Sequence, residues 1–144
     1  VEKVIEEGRR MRAKNIPYSY GSNDPESGMD CSAFISYIWN KAAGIKIGRS
    51  TDAIKMNMDK VGGLEVDRED VQPGDLMLWS GHVAMVTEKN TRMEAGNPVG
   101  SENPMSEENI GQQFIGYYRV SSLPEEMEKK GITYDDLEVS NIAG

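Results

Sequence analysis

A chain of 144 residues with a net charge of −8, one cysteine and one histidine has the size of a single domain. One thiol rules out an internal disulfide framework. One Cys with one His falls short of the about four ligands a structural zinc needs, so neither metal nor cofactor is expected. The acidic balance gives no electrostatic footprint for nucleic acid, and no apolar run approaches the ~18 residues of a membrane span.

Residues 1–15, VEKVIEEGRRMRAKN, predict a helix: Val1, Val4, Ile5 and Met11 recur near the helical period, and Ile16-Pro17 ends it. PYSYGSNDPESGMD is a turn-rich loop, long enough to favour a functional surface. CSAFISYIWNKAAG is the strongest helix, with Phe34, Ile35, Ile38 and Trp39 on one face and Gly44 beyond its end. STDAIKMNMDKVGG predicts a shorter helix capped by Ser50, with Ile54 and Met58 sharing a face. The period then changes to two. DLMLWS (75–80), HVAMVTE (82–88), RMEAG (92–96) and, after a polar loop, FIGYYRV (114–120) predict strands joined by hairpin turns. LPEEMEKKG, with Pro124 near its start and Gly131 past its end, predicts a last short helix. Helices followed by a run of antiparallel strands make an α+β domain.

The lone thiol, Cys31, falls at the first turn of the strongest helix, directly behind a turn. Unpaired N–H groups and the partial positive charge there favour thiolate, and the same N–H groups can hold an oxyanion beside the sulfur. A core cysteine gains nothing from that place. A nucleophile needs a base, and the only histidine, His82, follows the tight Ser80-Gly81 turn at the start of an apolar strand. If 82–88 and 92–96 form a hairpin, Glu94 can stand beside His82 and orient it; Asn97, just past the strand, is the second candidate. Asp30 reads equally well as the cap of the Cys31 helix, keeping one oxygen free for another task.

These segments resemble those of the NlpC-type cell-wall peptidases. GMDCSAFISYIW is similar to their G-F-D-C-S-G-L/F-V nucleophile motif, PGDLMLWSGHVAMVTE to their P-G-D-L-x-F…H-V-G-I-Y block, PYSYGSNDPESG to P-Y-x-W/Y-G-G, and RST at 49–51 to R-T-S. The matches run in order from about Ile16 to Ala95. Glu94 stands where the family most often has His, Ala33 where it has Gly, and Ile54 where it often has Gln. The resemblance implies a papain-like fold whose central antiparallel sheet packs on the helix bearing the nucleophilic Cys. It implies Cys31 as nucleophile, His82 as general base and Glu94 in the third catalytic position. Tyr18, Asp30, Ser32, Arg49 and Ser50 would line the subsite that takes the free amine of a stem peptide.

The implied activity is a cysteine endopeptidase of bacterial peptidoglycan, cutting between D-Glu and the diamino acid. An N-acetylmuramoyl-L-alanine amidase on the same fold, or an idle wall-binding or virion module, are the alternatives. The expected division is a peptidase domain over 1–120 and a C-terminal extension or linker over 121–144. The start at Val1 without Met fits a processed product or a domain of a larger protein, monomeric and acting at the cell wall outside the cell.

Overall fold

The computed structural model describes residues 1–109 and 111–144. Helix α1 (Glu2–Ala13) buries Val4, Ile5, Gly8 and Met11, while Val1 remains 44% exposed at its start. The helix stops where Asn15 takes a positive φ of 59° ahead of Ile16-Pro17. The turn-rich loop folds on itself as a small hairpin, β1 (Asn23–Asp24) against β2 (Gly28–Met29).

Helix α2 (Cys31–Ala43) follows at once. The Asp30 carboxylate caps it, accepting the Ala33 N–H at 2.9 Å, and Gly44 closes it in the left-handed region at φ 67°. Its apolar side is so wide that every residue from Cys31 to Trp39 is buried. Helix α3 (Thr51–Val61) is capped as the sequence predicts: the Ser50 hydroxyl accepts the Ala53 N–H at 3.1 Å, and Ile54 and Met58 are buried.

The sheet has six antiparallel strands: β3 (Glu65–Val66), β4 (Leu76–Trp79), β5 (His82–Glu88), β6 (Thr91–Ala95), β7 (Val99–Pro104) and β8 (Phe114–Tyr118), in the order β3-β8-β4-β5-β6-β7. Strand β4 is covered on both faces, so its residues are all buried instead of alternating. Leu76 and Leu78 join the main core with α1 and α2; Met77 and Trp79 join a second core with Ala84, Val86 and Tyr117. The polar loop expected before residue 114 contains β7, an edge strand. Its pairing comes from β6, in the register Arg92↔Asn103 and Glu94↔Ser101, and not from its own polar residues.

After α4 (Leu123–Lys130), residues 131–144 run back over the helices. Buried Asn57 holds this segment at both polar atoms of its amide: Nδ2 donates to the Glu138 carbonyl at 2.8 Å, and Oδ1 accepts the Glu138 N–H at 2.9 Å. Asn23 of β1 donates to the Asn141 carbonyl at 2.6 Å. Among the described residues no helix is long and apolar enough to cross a membrane.

Candidate active site

Three elements converge at the N-terminus of α2. Cys31 is its first residue, 7% exposed, at the floor of a cleft of about 390 Å³. His82 opens β5, paired with Trp79 across the two-residue Ser80-Gly81 turn, where Gly81 supplies a φ of 98°. Glu94 lies on the neighbouring strand β6, with flanking Met93 turned into the main core.

His82 Nε2 lies 2.7 Å from Glu94 Oε1, and Cys31 stands near enough to the ring to help raise its pKa. With Nε2 committed to the carboxylate, Nδ1 is the nitrogen left for sulfur. The other carboxylate oxygen, Glu94 Oε2, accepts Arg92 Nε at 2.9 Å and Asn103 Nδ2 at 3.0 Å. The Trp79 ring lies 5.3 Å from the imidazole and 5.1 Å from the Arg92 guanidinium.

Burial alone would disfavour a charged imidazole. Hydrogen bonds and charge attraction from Cys31 and Glu94 outweigh it and raise His82 to about 9, so the ring is held as imidazolium at neutral pH. Burial likewise opposes ionisation of Glu94, but its bond to His82 and the positive charge of Arg92 hold it below the ordinary carboxylate range. Burial, then the negative charges at Cys31 and Asp30, push the Tyr18 phenol up.

Tyr18, Asp30, Ser32, Arg49 and Ser50 all line the cleft that holds Cys31. Asp30 differs from its expected state. Both its oxygens are taken by Arg49, at 3.0 and 3.1 Å, so the cap keeps no oxygen free. Arg49 also donates to Ser32 Oγ at 3.2 Å and to the Ser22 carbonyl at 3.3 Å, tying the α2 terminus to the β1–β2 hairpin. The Ser50 hydroxyl serves α3 as its cap. Asn97 lies beyond the end of β6, and the carboxylate that reaches His82 is Glu94.

Sequence reasoning left out several residues here. Tyr20, 91% exposed, and Asp52 stand in the cleft wall; Arg92 and Asn103 stand behind Glu94. Arg92 was legible, being two residues from Glu94 on one face of a strand. Asn103 was not, because it sits on the strand that the sequence does not reveal.

The NlpC/P60 family model matches residues 15–119. The chain belongs to the NlpC/P60 family. This NlpC/P60 domain is 33% identical over 64 residues to a gamma-DL-glutamyl hydrolase of Bacillus subtilis (strain 168); the match covers 44% of this chain and 14% of the relative. A lipoprotein-like NLP/P60 family structure from Staphylococcus aureus subsp. aureus Mu50 superposes with a TM-score of 0.65 at 26% identity, over 83% of this chain and 42% of the other. The chain thus spans less than half the length of these relatives.

Two shorter structures share the fold over nearly their whole length. The NlpC/p60 domain of the peptidoglycan hydrolase SagA matches with a TM-score of 0.60 at 24% identity, covering 81% of this chain and 96% of that one. RipD from Mycobacterium tuberculosis, described as a non-catalytic NlpC/p60 domain protein, matches with a TM-score of 0.63 at 24% identity, covering 83% and 95%. The expected papain-like arrangement, a central antiparallel sheet against the Cys-bearing helix, is the fold of this NlpC/P60 domain.

Proposed function

We propose that this NlpC/P60 domain is a cysteine endopeptidase that cuts peptidoglycan stem peptides at the γ-D-Glu–diamino acid bond. The observation that carries the reading is Cys31 at a helix N-terminus lining an open cleft, with the His82–Glu94 pair beside it. The match to a gamma-DL-glutamyl hydrolase supports the choice of bond.

In this mechanism Cys31 and His82 stand as thiolate and imidazolium. The sulfur attacks the amide carbonyl carbon, and N–H groups at the start of α2 receive the oxyanion. The His82 proton passes to the leaving nitrogen as the C–N bond breaks. A water, deprotonated by His82, then attacks the thioester and releases the acid and the free thiol. Glu94 keeps the ring oriented throughout and stabilises its charged form each time it carries the proton. Tyr18, Asp30, Ser32, Arg49 and Ser50 form the wall that receives the peptide N-terminal to the scissile bond. Residues 1–120 are the peptidase unit and 121–144 its extension, acting at the cell wall.

The test is digestion of purified sacculi of known stem chemistry, with product masses and Cys31→Ala as control. New amines on the diamino acid, with L-Ala–D-Glu left behind, support the reading. Release of whole stem peptides from intact glycan would make the domain an amidase. Equal digestion by the parent and Cys31→Ala would end the thiol mechanism, and binding without cleavage would mark a wall-binding module.

A further inference from the structure

Glu94 is the residue by which this chain departs from the usual third position, and it does not act alone. A buried carboxylate beside a histidine is free to rotate, to lose its charge, or to bind the imidazolium so tightly that the proton is not given up to a leaving group. Each of these depends on what holds the carboxylate from behind. Here the side chains of Glu94 and Arg92 are 9% and 12% exposed, so the pair is largely cut off from solvent. Arg92 Nε reaches Oε2 at 2.9 Å, and Asn103 Nδ2 reaches the same oxygen at 3.0 Å. Among the described residues Oε1 is thereby left to His82, at 2.7 Å.

The guanidinium is fixed in turn. Its Nη1 donates to the Ser106 carbonyl at 2.8 Å, and its Cζ lies 5.1 Å from the centroid of the Trp79 ring that also flanks His82. The charged and titratable groups reaching His82 are Cys31 from α2 and Glu94 from β6. Those reaching Glu94 are His82 from β5 and Arg92 from its own strand, with neutral Asn103 from β7. The result is a row in which the Cys31 sulfur, the His82 ring, the Glu94 carboxylate and the Arg92 guanidinium follow one another.

We propose that Arg92 is a positioning residue for the catalytic pair: its Nε–H aims Glu94 at His82, and its charge draws off part of the attraction that Glu94 exerts on the imidazolium. This rests on the cysteine-peptidase reading. Arg92 does not touch the reacting atoms; it acts through Glu94. Asn103 shares the aiming but carries no charge, which separates the two effects.

His82 is the only histidine in the chain, so its imidazole signals in a nuclear magnetic resonance pH titration are assigned without ambiguity. The variants are Arg92→Gln, which keeps an N–H donor and loses the charge, Arg92→Lys, which keeps the charge, Arg92→Met and Asn103→Ala. Without the Arg92 charge, Glu94 acts undiminished on His82. In Arg92→Gln and Arg92→Met the His82 midpoint should therefore rise by about half a pH unit or more. Arg92→Lys should stay near the parent. Asn103→Ala should leave the midpoint in place while slowing alkylation of Cys31 by iodoacetamide.

A midpoint in Arg92→Gln equal to the parent's would overturn the proposal. So would an Arg92→Lys that shifts as far as Arg92→Gln, because charge would then not be the cause. A parent His82 that titrates at the ordinary imidazole value would instead remove the ion pair on which the function reading stands. That failure is distinct from a raised parent midpoint that ignores Arg92.

Discussion

Arg49 and Asp30 meet fork to fork, Nη1 on Oδ1 at 3.0 Å and Nη2 on Oδ2 at 3.1 Å, directly beside the residue that follows them into the cleft, Cys31. One carboxylate therefore caps α2 and anchors the cleft wall, and one guanidinium offsets its charge next to the sulfur. Arg49→Met leaves Asp30 with its cap bonds but without its counter-charge. The pair is partly shielded, so the loss should cost about 2 kcal/mol, between the values for exposed and buried pairs. Stem-peptide cleavage should fall by about a hundredfold, as for a misplaced binding wall. Urea midpoints and product formation on muropeptides measure the two effects separately.

Glu94→Gln removes the carboxylate that holds His82 at 2.7 Å and keeps the shape. His82, raised to about 9 with Glu94 among the causes, should fall back toward its ordinary 6.5. The upper pH limit of thiolate–imidazolium reactivity should descend with it. A fall of about one pH unit corresponds to about 1.4 kcal/mol lost from the charged form of the ring. Alkylation of Cys31 followed from pH 5 to 10 tests this. A profile identical to the parent's would take Glu94 out of the site.

The raised His82 also makes stability depend on pH. The folded protein binds the ring proton more tightly than the unfolded chain does. Its contribution is therefore complete below the unfolded value of 6.5 and is lost as pH climbs through about 9. Glu94 works in the opposite sense: held below its ordinary 4.5, its contribution is present above that value and disappears as pH falls. Urea midpoints should decline between pH 6.5 and 9 in the parent, and that decline should flatten in His82→Gln.

Asp75, in the PGDL segment, has a structural task. It is 2% exposed and accepts Arg119 Nε at 3.1 Å, Arg119 Nη2 at 2.9 Å and the Gln72 N–H at 2.8 Å. It joins the turn before β4 to the end of β8. Asp75→Ala strands the guanidinium and the amide and should cost about 3 kcal/mol, with Asp75→Asn milder. The Cys31 alkylation profile should remain that of the parent in the folded fraction.

Much of this was written locally. The capped helix beginning at Cys31, the Ser50 cap and the tight turn before His82 depend on residues a few places apart, and each forms as its residues dictate. Glu94 was within reach of the same reasoning, since a hairpin with period two puts it on the face of the sheet that His82 occupies. The edge strand β7 was not. SENP carries no apolar alternation and becomes a strand because β6 offers it an open ladder. The pairing of Asp30 with Arg49 joins residues 19 apart, and Asn103 reaches Glu94 only from that unforeseen strand. Which residues bear chemistry, and which local turn presents each, was determined along the chain. Which charges end up facing one another was decided only by the tertiary packing of α2 and the strands, because burial makes an unpartnered charge costly and the fold alone brings the partner near.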